Sequence, residues 1–460
     1  MTFHPRPSAG EPRPWAFPAP DRSVLTNGLT LLRCHRPGRQ VIAVEVNVAA
    51  RLDVEPEGLD GVANVMARAL CEGTDRHSAE EFAAELERCG ANAEAHANSF
   101  GVRLTLEVPV SRLARALGLL AEALRAPAFA DAVVDRLVRN RLDEIPYELA
   151  DPQRRATRAL AAALFAPDDR MSRPRQGTGE TVARIDSAAV RAFYEAHVRP
   201  ATATAVVVGD LTGIDLDAVL ADTLGTWTGN TTAALPARPT ALPVKVDDTG
   251  RVVIVDRPGA VQTQLLIGAV GSDRHGPGWA AQVLGAYCLG GSLTSRLDRV
   301  LREEKGYTYG VRTFTQVLRS DPGGGGLALA TISGSVDTSA TGPALADIRT
   351  LLLDLSAHGL GETERDAAVE NLVGVAPLRF ETSSSIAGTL ADQAEQDLPD
   401  DYQKQLYERL GAVDAAAAGA AVARLFSLER LVTVLVGDAS RIGEQVRGLG
   451  LGDVQVLHGG

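Results

Sequence analysis

Residues 61–74, GVANVMARALCEGT, read as one amphipathic helix. Val62, Val65, Met66, Ala69 and Leu70 recur at helical spacing along one side, and Gly73 follows where a helix stops. Positions 64, 67 and 68 of such a helix share a face. Two histidines at i and i+4 with a carboxylate between them would make that face a metal site able to activate water. Asn64, Ala67 and Arg68 stand there instead. The eight histidines (His4, His35, His77, His96, His197, His275, His358 and His458) form no HxH, HExxH or HxxEH spacing, so they read as mostly surface groups. Cys34, Cys71, Cys89 and Cys288 show no CxxC pairing, which predicts reduced core thiols and a reducing compartment.

The glycine-rich stretches carry no phosphate or nucleophile chemistry. DPGGGG at 321–326 is followed by LALATISG, a strand pattern, where a phosphate cradle would need a helix; it predicts a flexible hairpin loop. GGSLTS at 290–295 lacks the G-x-S-x-G elbow. The formal charge of −12 argues against nucleic acid or an anionic membrane as partner and suits basic or neutral peptides. The first twenty residues are proline-rich without an apolar core, and no run of about 18 apolar residues occurs. Cytoplasmic is the expected location.

The elements that must position any site come in two copies. TATAVVVGDLTGIDLDAVL (202–220) and RLVTVLVGDASRIGEQV (430–446) each give a buried strand, a Gly-Asp turn and a helix. Upstream, RPGRQVIAVEVNVAARLDVEPEGL (36–59) matches RPGAVQTQLLIGAVGSDRHGPGW (257–279), each with a strand after an Arg-Pro-Gly turn. Two anchors in the same order point to duplication. Strand patterns such as VRLTLEVPV (102–110) alternate with helical ones such as 110–129, so we expect an α+β chain with mixed sheets carrying helices on one face. The division is a Pro-rich tail over 1–21, an N-terminal domain over 22–230, a Pro/Ala/Thr linker over 231–246 and a C-terminal domain over 247–460.

With the repeat, the pieces GLDGVANVMARALCEGT, EEFAAELERCGANAEAHANSFGVRLTLEVP and LGGSLTSRLDRVLREEKGYTYGV appear in an order that resembles the insulinase/pitrilysin family, in its short-chain processing-peptidase branch. The resemblance implies two homologous domains, each a mixed or antiparallel sheet packed against helices, in a half-shell. It also implies zinc-dependent peptide cleavage through His-x-x-Glu-His and a later Glu. Here that motif falls on Asn64 to Arg68, with Ala67 at the base position, and the distal ligand on Glu144 in RLDEIPYEL. One carboxylate cannot hold zinc. Arg68 about 4 Å from a divalent ion would cost about 8 kcal/mol at an effective dielectric of 20. Either Arg68 pairs with Glu144, or both reach solvent.

The family's second motif, an Arg and a Tyr seven positions later that hold the substrate carbonyl and oxyanion, is matched by Arg302 and Tyr309. The plainer alternative pairs Arg302 with Glu303 or Glu304 and lets Tyr309 simply begin a strand. The resemblance implies a subunit holding no cofactor itself, which serves a peptide substrate together with a homologous partner bearing zinc on an intact His-x-x-Glu-His. The rival reading is an inert scaffold.

Overall fold

The computed structural model describes residues 15–229 and 251–458; the linker expected over 231–246 and the first fourteen residues of the tail lie outside the described residues. The N-terminal half supplies strands β1 (Asp21–Val24), β2 (Thr30–His35), β3 (Val41–Val48), β4 (Asn92–Ala97), β5 (Val102–Pro109) and β6 (Ala203–Gly209). The C-terminal half supplies β7 (Arg251–Asp256), β8 (Gln262–Gly271), β9 (Val311–Arg319), β10 (Leu327–Asp337), β11 (Val432–Gly437) and β12 (Asp453–Leu457). Their orders are β1-β2-β6-β3-β5-β4 and β12-β7-β11-β8-β10-β9.

The duplication is visible in these orders. β6 and β11, the strands of the two Gly-Asp repeats, lie third in their sheets, parallel to β2 and β7 and antiparallel to β3 and β8. The copies differ at one margin, where β1 runs antiparallel to β2 but β12 runs parallel to β7. The fold is two α+β domains, each a mixed sheet packed against helices.

The helices that build the N-terminal core are α1 (Val62–Leu70), α2 (Ala79–Cys89), α3 (Leu113–Arg125) and α4 (Asp131–Ala150). They bury one face of the first sheet, with Ile42, Val44, Val46 and Val48 of β3 pointing into that core. Alternation puts Ala43, Glu45 and Asn47 on the other face. That second face is covered as well, which corrects the expectation of helices on one face only, and the cover comes from the other half. Helix Ser383–Glu395 packs on β3 and β6, burying Ile386, Ala387, Leu390 and Ala391 against Ala43, Val206 and Val208. Reciprocally, α5 (Pro152–Leu164) lies on the second sheet, with Leu160 and Leu164 against Val253, Leu266, Val434 and Val436.

This exchange explains why β6 and β11 are nearly or wholly buried along their lengths. A strand covered on both faces needs apolar residues at every position, so its sequence becomes a continuous run. Polar contacts reinforce the exchange: Asn47 Nδ2 donates to Ala391 O at 2.7 Å, and Arg103 Nη2 lies 2.7 Å from both Asp392 and Glu395. The two halves are thereby fixed to each other, and sites between them are built features.

The DPGGGG segment is a hairpin connection from β9 to β10, as its composition predicts. It is pinned: Asp321 N donates to Asp273 Oδ2 at 2.9 Å, and a Cβ on Gly326 would stand 2.0 Å from that same oxygen. Only glycine fits there.

Candidate functional site

α1 and α4 bring the former metal positions together. Arg68 Nη2 is 2.7 Å from Glu144 Oε1, so of the two possibilities left by the sequence the structure takes the ion pair. Arg141 Nη1 reaches the other oxygen at 3.3 Å while forking onto Glu148 at 2.8 and 2.8 Å. Burial works against ionisation of Glu144, but the Arg68 hydrogen bond, with Arg141 behind it, holds its carboxyl below the usual range. Asn64 is 6% exposed and its Oδ1 has no hydrogen-bond partner. Ala67 is fully buried in the N-terminal core, where no group could serve as a water-activating base.

A zinc ion does not fit these residues. The single carboxylate is already bonded by two guanidinium groups, which stay protonated and cannot become ligands. Among the described residues no group of three or more His, Cys, Asp or Glu side chains could hold a metal ion.

Arg302 and Tyr309 line one cleft of 510 Å³ in the C-terminal half, together with Glu303, Gly306, Tyr307, Thr308 and Asp337. Arg302 lies in a π-turn over Arg299–Glu304, a wider helical turn often found at functional sites. The chain then reverses through Gly306, whose φ of +65° favours glycine. Asp298 fixes the frame: it is fully buried, accepts from Val311 N at 3.0 Å, and pairs with Arg312. It thereby ties the helix end to the start of β9. Thr308 Oγ1 donates to Ser335 O at 2.7 Å and accepts from Gly310 N at 3.0 Å, setting the bend that displays residue 309.

The two side chains end differently. Arg302 Nε is 3.4 Å from Glu303 Oε1, and its Nη1 is 3.9 Å from Asp298, so the sequence's alternative pairing with Glu303 is present. Tyr309 precedes β9 and is 93% exposed, and its hydroxyl bonds no described residue.

Sequence reasoning missed a larger chamber between the halves, 1010 Å³, lined by Asn64, Arg141, the β4 end and β9. Eight arginines and five carboxylates line it, a local excess of positive charge in a chain of −12. The net charge pointed the other way because it averages over the whole surface. A local signal did exist: DDRMSRPRQ (168–176) places Arg170, Arg173 and Arg175 in one loop. Arg170 and Arg173 are used internally, bridging Glu55 at 2.7 Å and Asp60 at 2.5 Å. Glu55 in turn accepts from Gly61 N and Ala63 N at the start of α1.

Comparison with known proteins fits this geometry. Residues 34–177 match the family described as Insulinase (Peptidase family M16), and residues 184–372 match the Peptidase M16 inactive domain. The chain is 26% identical over 372 residues to an uncharacterized zinc protease of Streptomyces coelicolor, covering 79% of this chain and 78% of the relative. It is 28% identical over 389 residues to one from Mycobacterium tuberculosis, covering 83% and 84%. Among solved structures, a peptidase M16 inactive domain from Pseudomonas fluorescens superposes with a TM-score of 0.81 at 22% identity, covering 91% of this chain and 98% of that one. A protease from Helicobacter pylori superposes with a TM-score of 0.80 at 17% identity, covering 92% and 100%.

Proposed function

Since the chain belongs to the insulinase family of peptidases, we propose that it is a non-catalytic subunit that grips a peptide for a partner's active site. The partner would be a homologous subunit with an intact His-x-x-Glu-His motif, and its zinc would supply activation of the attacking water. This chain would supply Arg302 and Tyr309. The guanidinium would donate to the scissile carbonyl, and the phenol would donate to the oxyanion as it forms.

One observation carries the reading. Tyr309 is 93% exposed beside Arg302 in an open cleft, and its hydroxyl bonds no described residue. What sets this exposed ring apart is its place in the same cleft as the Arg302 guanidinium, two donors together and open to a ligand. The overlap of Arg68 with Glu144 supports the division of labour, since this subunit's own former metal face is closed. Among the described residues no single helix is long and apolar enough to cross a membrane, and the four cysteines are unpaired; both suit the cytoplasm.

Co-expression with such a homologue, followed by peptide cleavage, tests this. Arg302→Ala and Tyr309→Phe should each lower kcat/KM by roughly 10²–10³ without dissolving the complex. The close pairing of Arg302 with Glu303 favours the inert-scaffold reading; full activity of both variants would remove the role assigned to them, and no cleavage by the assembled natural pair would leave the scaffold reading standing.

A further inference from the structure

The 1010 Å³ chamber between the halves is bounded by the margins of both sheets. His96 and Ala97 of β4 and Gln316, Leu318 and Arg319 of β9 line it, and β4 and β9 are the outermost strands of their sheets. An outermost strand offers a row of unpaired N–H and C=O groups, the feature that recruits an extended peptide. The chamber therefore combines a template for backbone with a lining that can select side chains.

That lining is unfinished. Most of its arginines are neutralised within the protein, Arg51 by Asp53, Arg141 and Arg154 by Glu148, and Arg170 and Arg173 by Glu55 and Asp60. Three are not. The side chains of Arg158 and Arg175 make no hydrogen bond or ion pair with any described residue. Arg319 is only 8% exposed, yet its Nε is buried without an acceptor and its nearest carboxylate, on Asp321, is 3.9 Å away. A buried donor left without an acceptor is unfavourable, and an arriving carboxylate would relieve it.

We propose that this chamber binds an extended peptide through acidic side chains, with Arg158, Arg175 and Arg319 as their receptors. The ligand's being a peptide rests on the function proposed above; its acidic character rests on the chamber alone. The preference is opposite to the one suggested by the chain's overall charge.

The test uses the full chain and three fluorescein-labelled peptides of one length, differing only in carrying Glu, Gln or Lys at the same positions, with binding read by anisotropy. The Glu peptide should bind at least about tenfold tighter than the Gln peptide, since hydrogen bonds to charged groups contribute more than neutral ones. That advantage should shrink as salt is raised. Arg158→Gln with Arg175→Gln, both at exposed positions, should bring the two peptides to within about twofold. Arg158→Glu with Arg175→Glu should shift preference to the Lys peptide. Equal binding of all three peptides, tighter binding of the Lys peptide to the natural chain, or an undiminished Glu preference in the folded Gln variant would overturn the acidic selection and leave the gripping role standing. Binding of none of the three would overturn the chamber as a peptide site, while the gripping role is decided separately by cleavage in the assembled pair.

Discussion

Asn64→His combined with Arg68→His should turn the closed face of α1 into a zinc site. A metal bound to Glu144 would sit about 2.1 Å from its oxygen. Arg68 Nη2 is 2.7 Å from that oxygen, so ion and guanidinium would be about 4 Å apart, a repulsion of about 8 kcal/mol at an effective dielectric of 20. That is a large part of the about 10–16 kcal/mol apparent binding free energy of structural zinc. The pair is 37% and 38% exposed, and if solvent screens three-quarters of the repulsion, about 2 kcal/mol or roughly 30-fold in affinity still remains. Arg141 stays in place, but its fork onto Glu148 offsets its charge. Asn64→His alone should therefore bind zinc at least about 30-fold more weakly than the double variant. Calorimetry and elemental analysis read this directly, with one zinc per chain expected. Binding should fall again when Glu144→Gln is added. A folded double variant that takes up no zinc, or takes it up regardless of Glu144, would refute the assignment of positions 64, 68 and 144 to one ligand set.

Glu45, buried on the interdomain face of β3, has its carboxyl pushed up to about 7, chiefly by burial. Its folded pKa lies above the unfolded value, so the stability it contributes is present below about pH 4.5 and is lost as pH rises through 7. Glu45→Gln should consequently raise stability by up to about 3 kcal/mol at pH 8 and give no gain at pH 4.5, as read by denaturant melts. Leu160→Ala, in a helix of the N-terminal half, should cost about 2–5 kcal/mol and loosen the C-terminal sheet first, because Leu160 is 1% exposed against Val434 and Leu266; hydrogen exchange along β11 would show it.

The repeat was legible because the duplicated strands β3 and β8, and β6 and β11, kept both their turns and their order. The exchange of α5 and the helix Ser383–Glu395 was not. A continuous apolar run such as AVVVG tells that both faces of a strand are covered, but says nothing about which half supplies the cover. The Arg68–Glu144 pair lies between residues 76 apart, and only the packing of α1 on α4 decides between pairing and solvent. The arginines of the chamber come from several separate elements, so apart from the 168–176 loop no window of sequence gathers them.

The two site remnants differ in what the fold asks of them. α1 buries Val62, Ala63, Val65, Met66, Ala67, Ala69 and Leu70, each worth up to about 1.5–3 kcal/mol for a full-sized side chain, so the helix stays in place whatever stands at 64 and 68. Loss of metal donors there leaves that apolar packing intact. Tyr309 is the reverse case: the fold holds its backbone through Thr308 and the nearby Asp298, yet draws no packing energy from the ring. Tyr309→Ser should then leave the melting temperature of the isolated chain within the scatter of surface substitutions, about 0.5 kcal/mol, while cleavage by the assembled pair falls by roughly 10²–10³. A clear loss of stability in the isolated chain, with cleavage unaffected, would move Tyr309 from gripping substrate to holding the fold.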